Sequence, residues 1–486
     1  MIHDMSELKQ KSLKGVKWTT TSAVLNGAGG LIQILFLARM MDPGVFALIS
    51  IINIIIGFST QLIDMGFSNA ILRKAAVTKI ELNTLYWLNL ACGLFFAMLF
   101  ALTAPLFAAF FSNLPFETLK NLIYATCPIF VISAASMQYQ SLLQRDLQFK
   151  LLSIIEITSF YTGLATIVVL TYKGWGAYAI VAGTLCKTLI GALLLIMRGI
   201  RSHIPGFQVS GANLAPIIRF GVFQSLEKTV AYIAVNFDTI MIAKFLSPAV
   251  SGVYELVKRL LLQPWYVINP LVTKVTYPVM ASVNQDTARL KNIAMRAIQL
   301  VGALNIPIYA ACAIGAGIVV PVVFGEPWHS GIEPFVWLAL TYMIRAVLNP
   351  LGSVILAKGR GGLAFLTQAI AFIGFLIAVM IGAIYGLRHM LITMLLFNAL
   401  LIIPIQLLVI GPLLKGTLLD VWRQINIELL AAFGAFGTTF LLTTSLQNGW
   451  LKLFLFMILG GALYLCALFR FRAFLMNDLR QMFKSP

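Results

Sequence analysis

The sequence predicts an all-α polytopic membrane protein of about fourteen transmembrane helices, and three observations lead there. Of its 486 residues, 60% are hydrophobic and 11% are charged, against about 25% charged in an average soluble domain. The apolar residues form long runs, each near the ~20 residues that a helix needs to cross a bilayer or longer. Basic residues crowd every second loop, as the positive-inside rule requires of a chain with a cytoplasmic N-terminus. No large soluble domain fits in what remains.

Taken in order, the runs lie near 18–40, 44–65, 84–111, 118–142, 151–172, 175–197, 216–246, 248–273, 292–324, 332–357, 361–386, 389–412, 424–445 and 450–469. Gly, Pro and charge clusters separate them. Lys9, Lys11, Lys14 and Lys17 precede the first run, which has no small-residue cleavage site and so is not a removable signal. The inner segments then hold Arg73, Lys74 and Lys79; Arg145 and Lys150; Arg198 and Arg201; Lys274, Arg289, Lys291 and Arg296; Lys358 and Arg360; Lys415 and Arg423; and Arg470, Arg472, Arg480 and Lys484. Only Arg39, Lys120, Lys173, Lys244, Arg388 and Lys452 fall outside. The net charge of +18 is therefore an orientation signal, and no nucleic-acid partner is expected. Both termini are expected in the cytoplasm.

An internal repeat organises the runs. Leu37-Ala38-Arg39-Met40-Met41-Asp42-Pro43 recurs as Ile242-Ala243-Lys244-Phe245-Leu246-Ser247-Pro248, and Leu142-Leu143-Gln144-Arg145 falls opposite Ile355-Leu356-Ala357-Lys358. Six spans per copy is an even number, so both copies begin on the same side and form parallel repeats, a known transporter plan. The expected organisation is an N-terminal lobe at 1–210, a C-terminal lobe at 211–415, and two additional helices with a basic tail at 416–486. The two six-helix lobes would surround a central cavity.

Charges inside the spans point to that cavity. An ionised side chain at the centre of a membrane helix costs roughly 2.5–3.5 kcal/mol on insertion scales. At 1.5 Å per residue, Lys187, Lys228, Lys258, Arg259 and Arg345 fall near mid-membrane with Glu227 and Glu255; Asp64, Glu156, Arg219 and Glu428 lie nearer the inner face and Asp238 nearer the outer. Glu255 is spaced to neutralise Lys258 and Arg259 within one helix, and Glu227 and Asp238 share a face. Mutual pairing that merely fixes helix packing would leave cations over. The surplus implies a water-filled electropositive site for an anionic substrate, with guanidinium groups suited to phosphate or carboxylate. Lys187, Lys228, Lys258, Arg259 and Arg345 are the candidate substrate contacts; Glu227, Asp238 and Glu255 are the candidates for a coupling ion, H+ or Na+. Tyr139, Tyr232, Tyr254 and Tyr266 are candidates for stacking on sugar rings.

Other chemistry is not indicated. The five cysteines lack paired spacing and the four histidines are scattered singly, so neither a disulfide framework nor a metal site is expected. Gly359-Arg360-Gly361-Gly362 matches no phosphate-binding or dinucleotide fingerprint, and no cofactor or catalytic constellation is indicated.

Several ordered motifs carry a family resemblance: Leu13-Lys14-Gly15-Val16-Lys17-Trp18, LARMMDP at 37–43, TLYWLNL at 84–90, LLQRDLQF at 142–149, VVFGEPW at 322–328 and NPLGSVILAKGR at 349–360. Together they resemble the polysaccharide exporter family of the multidrug/oligosaccharidyl-lipid/polysaccharide flippase superfamily, and within it the colanic-acid-type lipopolysaccharide exporters. The resemblance implies a non-enzymatic flippase in the bacterial inner membrane. It would move an undecaprenyl-diphosphate-linked, anionic oligosaccharide repeat unit by alternating access, among membrane lipids and beside polysaccharide polymerase and export machinery. A drug antiporter of the same architecture would need a carboxylate-rich site, and a membrane polymerase a substantial external loop; the longest outer loop here is only 324–334.

Overall fold

The computed structural model describes residues 2–63, 78–201, 203–208 and 215–472, excepting the side chains of 2–14, 16, 215–224, 226, 227 and 271. Among the described residues the protein is entirely helical. The helices are α1 (Ile2–Met40), α2 (Pro43–Ile63), α3 (Lys79–Phe110), α4 (Phe116–Arg145), α5 (Phe149–Tyr172), α6 (Ala177–Gly199), α7 (Ala215–Phe245), α8 (Pro248–Ser282), α9 (Thr287–Val319), α10 (Ile332–Leu348), α11 (Pro350–Ala357), α12 (Gly361–Ile384), α13 (Leu387–Leu400), α14 (Ile402–Ile405), α15 (Gly411–Leu414), α16 (Leu418–Thr443) and α17 (Gly449–Phe471). The expected span 332–357 is α10 and α11 broken at Asn349-Pro350, because Pro350 supplies no amide to continue the ladder. The expected span 389–412 is α13 to α15 joined by a π turn at Gln406–Ile410.

Twelve helical segments among the described residues are long and apolar enough to cross a membrane. This is a multi-pass membrane protein. Neither α7 nor α8 is among the twelve. In α8, Glu255, Lys258, Arg259, Gln263, Asn269 and Lys274 interrupt the apolar run.

Helix starts follow local chemistry. Thr78 and Glu81 form a reciprocal capping box on α3, with the Glu81 amide donating to Thr78 Oγ1 (3.3 Å) and the Thr78 amide to Glu81 Oε2 (3.0 Å). That cap moves the start of α3 to Lys79, five residues ahead of the apolar run. Asp286 caps α9 through the Arg289 amide (3.0 Å), and Asn448 caps α17 through the amides of Trp450 and Leu451.

Contacts divide the chain into two compact units, Met1–Gly252 and Val253–Pro486. In unit 1, α3 packs on α4, α4 on α6, α5 on α6, α1 on α5 and α2 on α7. Gly163 and Gly183 let α5 and α6 approach backbone to backbone, since a Cβ on either would stand 2.8 Å from the carbonyl of the other. The repeat-related corners also meet: a Cβ on Gly252 would lie 1.7 Å from the Pro43 carbonyl oxygen, and one on Gly44 would lie 3.7 Å from Pro248 Cβ. In unit 2, α9 is the central helix, packed on α10, α16 and α17, while α10 also meets α13.

The segment after α6 is strapped to α3. Asn83 receives the Gly206 amide (2.9 Å) and donates to the Gln208 carbonyl (3.3 Å), Trp87 Nε1 donates to the Gly206 carbonyl (3.0 Å), and the Trp87 and Phe207 rings stack at 5.3 Å. His203 is buried at the root of this strap. Burial, and then the charge of Lys79, pushes its imidazole below the ordinary histidine range. A histidine depressed in the docked state binds a proton more readily when undocked, so docking weakens as pH falls through about 6.5 and below. Trp87 fluorescence is expected to report that loosening, and His203→Phe to flatten its pH dependence.

Candidate functional site

In unit 1, α1, α5 and α6 bring polar groups together on their membrane-spanning lengths. Ser22 Oγ donates to Glu156 Oε2 (2.9 Å), Asn26 Nδ2 donates to Ser22 Oγ (3.3 Å), and Tyr161 Oη donates to the Leu25 carbonyl (2.9 Å). The small Gly163 admits the stem of Lys187 from α6, whose Nζ lies 5.4 Å from the centroid of the Phe160 ring. Glu156 is the carboxylate that acts electrostatically on Lys187. Both charged side chains are exposed on the unit's surface, and Asn26 Oδ1 is buried without a partner among the described residues. Water and a polar ligand therefore have access to one acid and one amine, with the Asn26 amide oxygen buried behind them.

In α7, Lys228 is half-buried and Asp238 is buried, its Oδ1 accepting from the Thr239 amide at 2.8 Å. The side chain of Glu227 lies outside the described residues, as does Asp64. The expected common face of Glu227 and Asp238 therefore lies outside them too.

Unit 2 holds the denser group. Glu255 is buried and paired with Arg259 one turn on, Nε to Oε1 at 2.6 Å, while the Arg259 side chain keeps 32% of its exposure. Lys258 is 4% exposed, with its Nζ 5.9 Å from the Tyr254 ring centroid. Arg345, from α10, extends to α8 with its guanidinium 5.8 Å from the Trp265 ring and 5.9 Å from the Tyr342 ring. It is exposed and has no acidic partner among the described residues. Aromatic faces hold a guanidinium by cation–π attraction and leave its donor edge free. Tyr309 Oη ties α9 to the same stretch by donating to the Leu261 carbonyl (3.0 Å).

The structure thus brings Glu255, Lys258 and Arg259 onto one helix and Arg345 against that helix, and places Lys187 with Glu156. Of the tyrosines, Tyr139 and Tyr254 are buried in packing and Tyr232 donates to the Asn53 carbonyl (3.2 Å); Tyr266 is exposed. The stacking role expected of Tyr139 and Tyr254 is corrected accordingly, since their rings fill cores. Sequence reasoning passed over Ser22, Asn26 and Trp265. A polar residue in each of two apolar runs was the available signal, without any indication of which runs are neighbours.

The family model described as polysaccharide biosynthesis protein matches residues 36–333. Lipopolysaccharide biosynthesis protein WzxC of Escherichia coli (strain K12) is 30% identical over 375 residues, covering 77% of this chain and 76% of that protein. Teichuronic acid biosynthesis protein TuaB of Bacillus subtilis (strain 168) is 28% identical over 363 residues, 74% of each chain. Among solved structures, lipid II flippase MurJ in an inward closed conformation matches with a TM-score of 0.73 and 13% identity, over 96% of this chain and 100% of that one. At that identity the likeness is one of fold.

Proposed function

This chain belongs to the polysaccharide biosynthesis protein family, and from that membership we propose that it is a flippase, which moves a lipid-linked, anionic oligosaccharide across a bacterial membrane for surface or exopolysaccharide synthesis. The reading extends to the inner membrane, to cytoplasmic termini and to alternating access of the two repeat halves driven by an H+ or Na+ gradient. It performs no covalent chemistry on its cargo and hands it to polymerase and export proteins. The observation that carries the substrate class is Arg345, an exposed guanidinium on a membrane-spanning helix with no acid to neutralise it among the described residues. Keeping such a charge there is costly, and a diphosphate or acidic sugar gives it a partner in each transport cycle. Lys258 and Arg259 are the further proposed substrate contacts in unit 2, and Lys187 and Lys228 those in unit 1.

The testing experiment deletes the gene and follows the lipid-linked repeat unit. Accumulation in the inner leaflet with loss of surface polysaccharide, reversed by the intact gene, supports the flippase. Single unpolymerised units on the outer leaflet would indicate a polymerase, and unchanged polysaccharide with new drug sensitivity an antiporter. In the same strain Arg345→Gln is expected to slow transport roughly 10–100-fold, the worth of a charged hydrogen bond of about 1.5–3 kcal/mol. The chain should still fold, losing only the cation–π contacts to Trp265 and Tyr342, about 0.5–1 kcal/mol each at an exposed site.

A further inference from the structure

A second ionisable group lies inside unit 2, apart from α8 and α10. Glu428 is the eleventh residue of α16, about 15 Å along the helix at 1.5 Å per residue. Its side chain is 0% exposed, and with the Gln299 amide turned to satisfy its neighbours, Gln299 is the side chain that hydrogen-bonds to the carboxylate among the described residues. Arg472, just past the end of α17, approaches with Nε 3.5 Å from Oε1. That contact neutralises charge but is too long to fill a lone pair.

The guanidinium is already committed elsewhere. Nη2 donates to the carbonyls of Arg423 (2.8 Å) and Gln424 (3.3 Å). With the Gln299 amide oxygen turned towards it, Nη1 donates there at 2.9 Å and Nε at 3.2 Å. Tyr464 Oη is occupied too, donating to the Ala303 carbonyl at 2.9 Å. The remaining charged groups on α9, α16 and α17 do not complete the site: Lys291 and Asp420 pair with each other at 2.7 Å, Arg289 pairs with Asp286 at 3.2 Å, Lys452 stands in the first turn of α17, at the end away from Arg472, and Arg296, Arg423 and Arg470 are exposed.

An ionised carboxylate in a protein interior is tolerated when it is closely paired and fully hydrogen-bonded; Glu428 has its cation only at 3.5 Å and a single amide side chain, Gln299, as donor among the described residues. A proton removes the charge and with it the need for Arg472, whose other acceptors hold it in place. Two states of the site are thus available, a carboxylate against the guanidinium and a neutral carboxylic acid beside it. Ionisable residues inside membrane helices mark functional sites, proton relays among them.

We propose that Glu428 binds and releases the proton coupled to transport, with Arg472 as its counter-ion. The step is addition of H+ to the carboxylate and its later loss, with no other reactant. The coupling half of the proposal rests on the flippase reading above; the proton site itself does not.

The test uses the full-length chain, purified and reconstituted. Proton uptake is followed by infrared titration of the carboxyl stretch, and transport of a labelled lipid-linked oligosaccharide is measured with and without a pH gradient. Glu428→Gln is expected to lose one titrating carboxyl band and the stimulation by the gradient. Arg472→Gln keeps that band but shifts it along the pH axis, and R472Q/E428Q lacks it. A Glu428→Gln protein with wild-type proton uptake, or with undiminished stimulation by the gradient, overturns the proposal. A purely structural pair would alter thermal stability in these variants and leave the titration untouched, which likewise overturns it. Should the wild-type chain fail to move the oligosaccharide under any gradient, the flippase reading falls, while the carboxyl titration is still read on the protein alone.

Discussion

Arg472→Ala is expected to destabilise unit 2 by about 3–5 kcal/mol, the usual cost of removing one member of a buried ion pair. Glu428 has no exposure, and at a pH high enough to keep it ionised it would be left with no cation in contact; protonation at lower pH should reduce the loss. The same substitution strips donors from Gln299 and from the Arg423 and Gln424 carbonyls. R472A/E428Q should regain most of the loss, because a neutral amide in place of the carboxylate removes the uncompensated charge. Unfolding in mixed detergent micelles, monitored for the single and double variants, gives the coupling between the two residues directly. Equal destabilisation by the single and double variants would mean that the guanidinium stabilises the fold through the carbonyls and Gln299, not through Glu428.

The second large effect is expected at Gly252. The obstacle to a Cβ there is the Pro43 carbonyl oxygen at 1.7 Å, with the Phe46 Cβ at 3.2 Å behind it. Backbone cannot swing aside as a side-chain tip can, so the first turn of α8 must move off α2. Overpacking costs about 1–3 kcal/mol and occasionally more, and Gly252→Ala should fall at the upper end, read as a lowered Tm in detergent. The same corner offers a geometric check. Cysteines at positions 44 and 248 would have Cβ atoms about 3.7 Å apart, inside the disulfide range of about 3.5–4.5 Å. In a chain whose five native cysteines are replaced, they should oxidise to a cross-link, and Gly252→Leu should suppress it. Two cysteines that stay reduced under oxidant would show that the corners do not meet.

How much was legible in the sequence depended on how far apart in the chain the partners lie. Twelve spans could be read because each is a long apolar run, which α7 and α8 are not; the break at Asn349-Pro350 and the start of α3 at its Thr78–Glu81 cap depend on single residues within or beside such runs. The Glu255–Arg259 pair was legible because a helix places i and i+4 on one face. The match of LARMMDP with IAKFLSP identified two corners as equivalent, and those are the corners that touch at Pro43 and Gly252. What could not be read were contacts between distant helices. Ser22 and Glu156 are 134 residues apart, and nothing in the periodicity of either run shows that they meet. Arg345 between Trp265 and Tyr342, and Glu428 against Arg472, are of the same kind. Tyr139 and Tyr254 failed for a related reason, since composition does not tell an accessible ring from one that fills a core.

Finally, α8 carries Pro264, Pro270 and Pro278 in its interior. Each withholds an amide proton from the ladder and crowds the carbonyl four residues earlier. Mechanically, this makes α8 a jointed rod and not a stiff one. A twist applied at the Pro248 corner would be absorbed at successive joints before it reached Lys274, and the loosened carbonyls would turn towards whatever donor lies nearest. Bending stiffness along this helix is set by where its prolines stand, independently of how well its apolar face is packed.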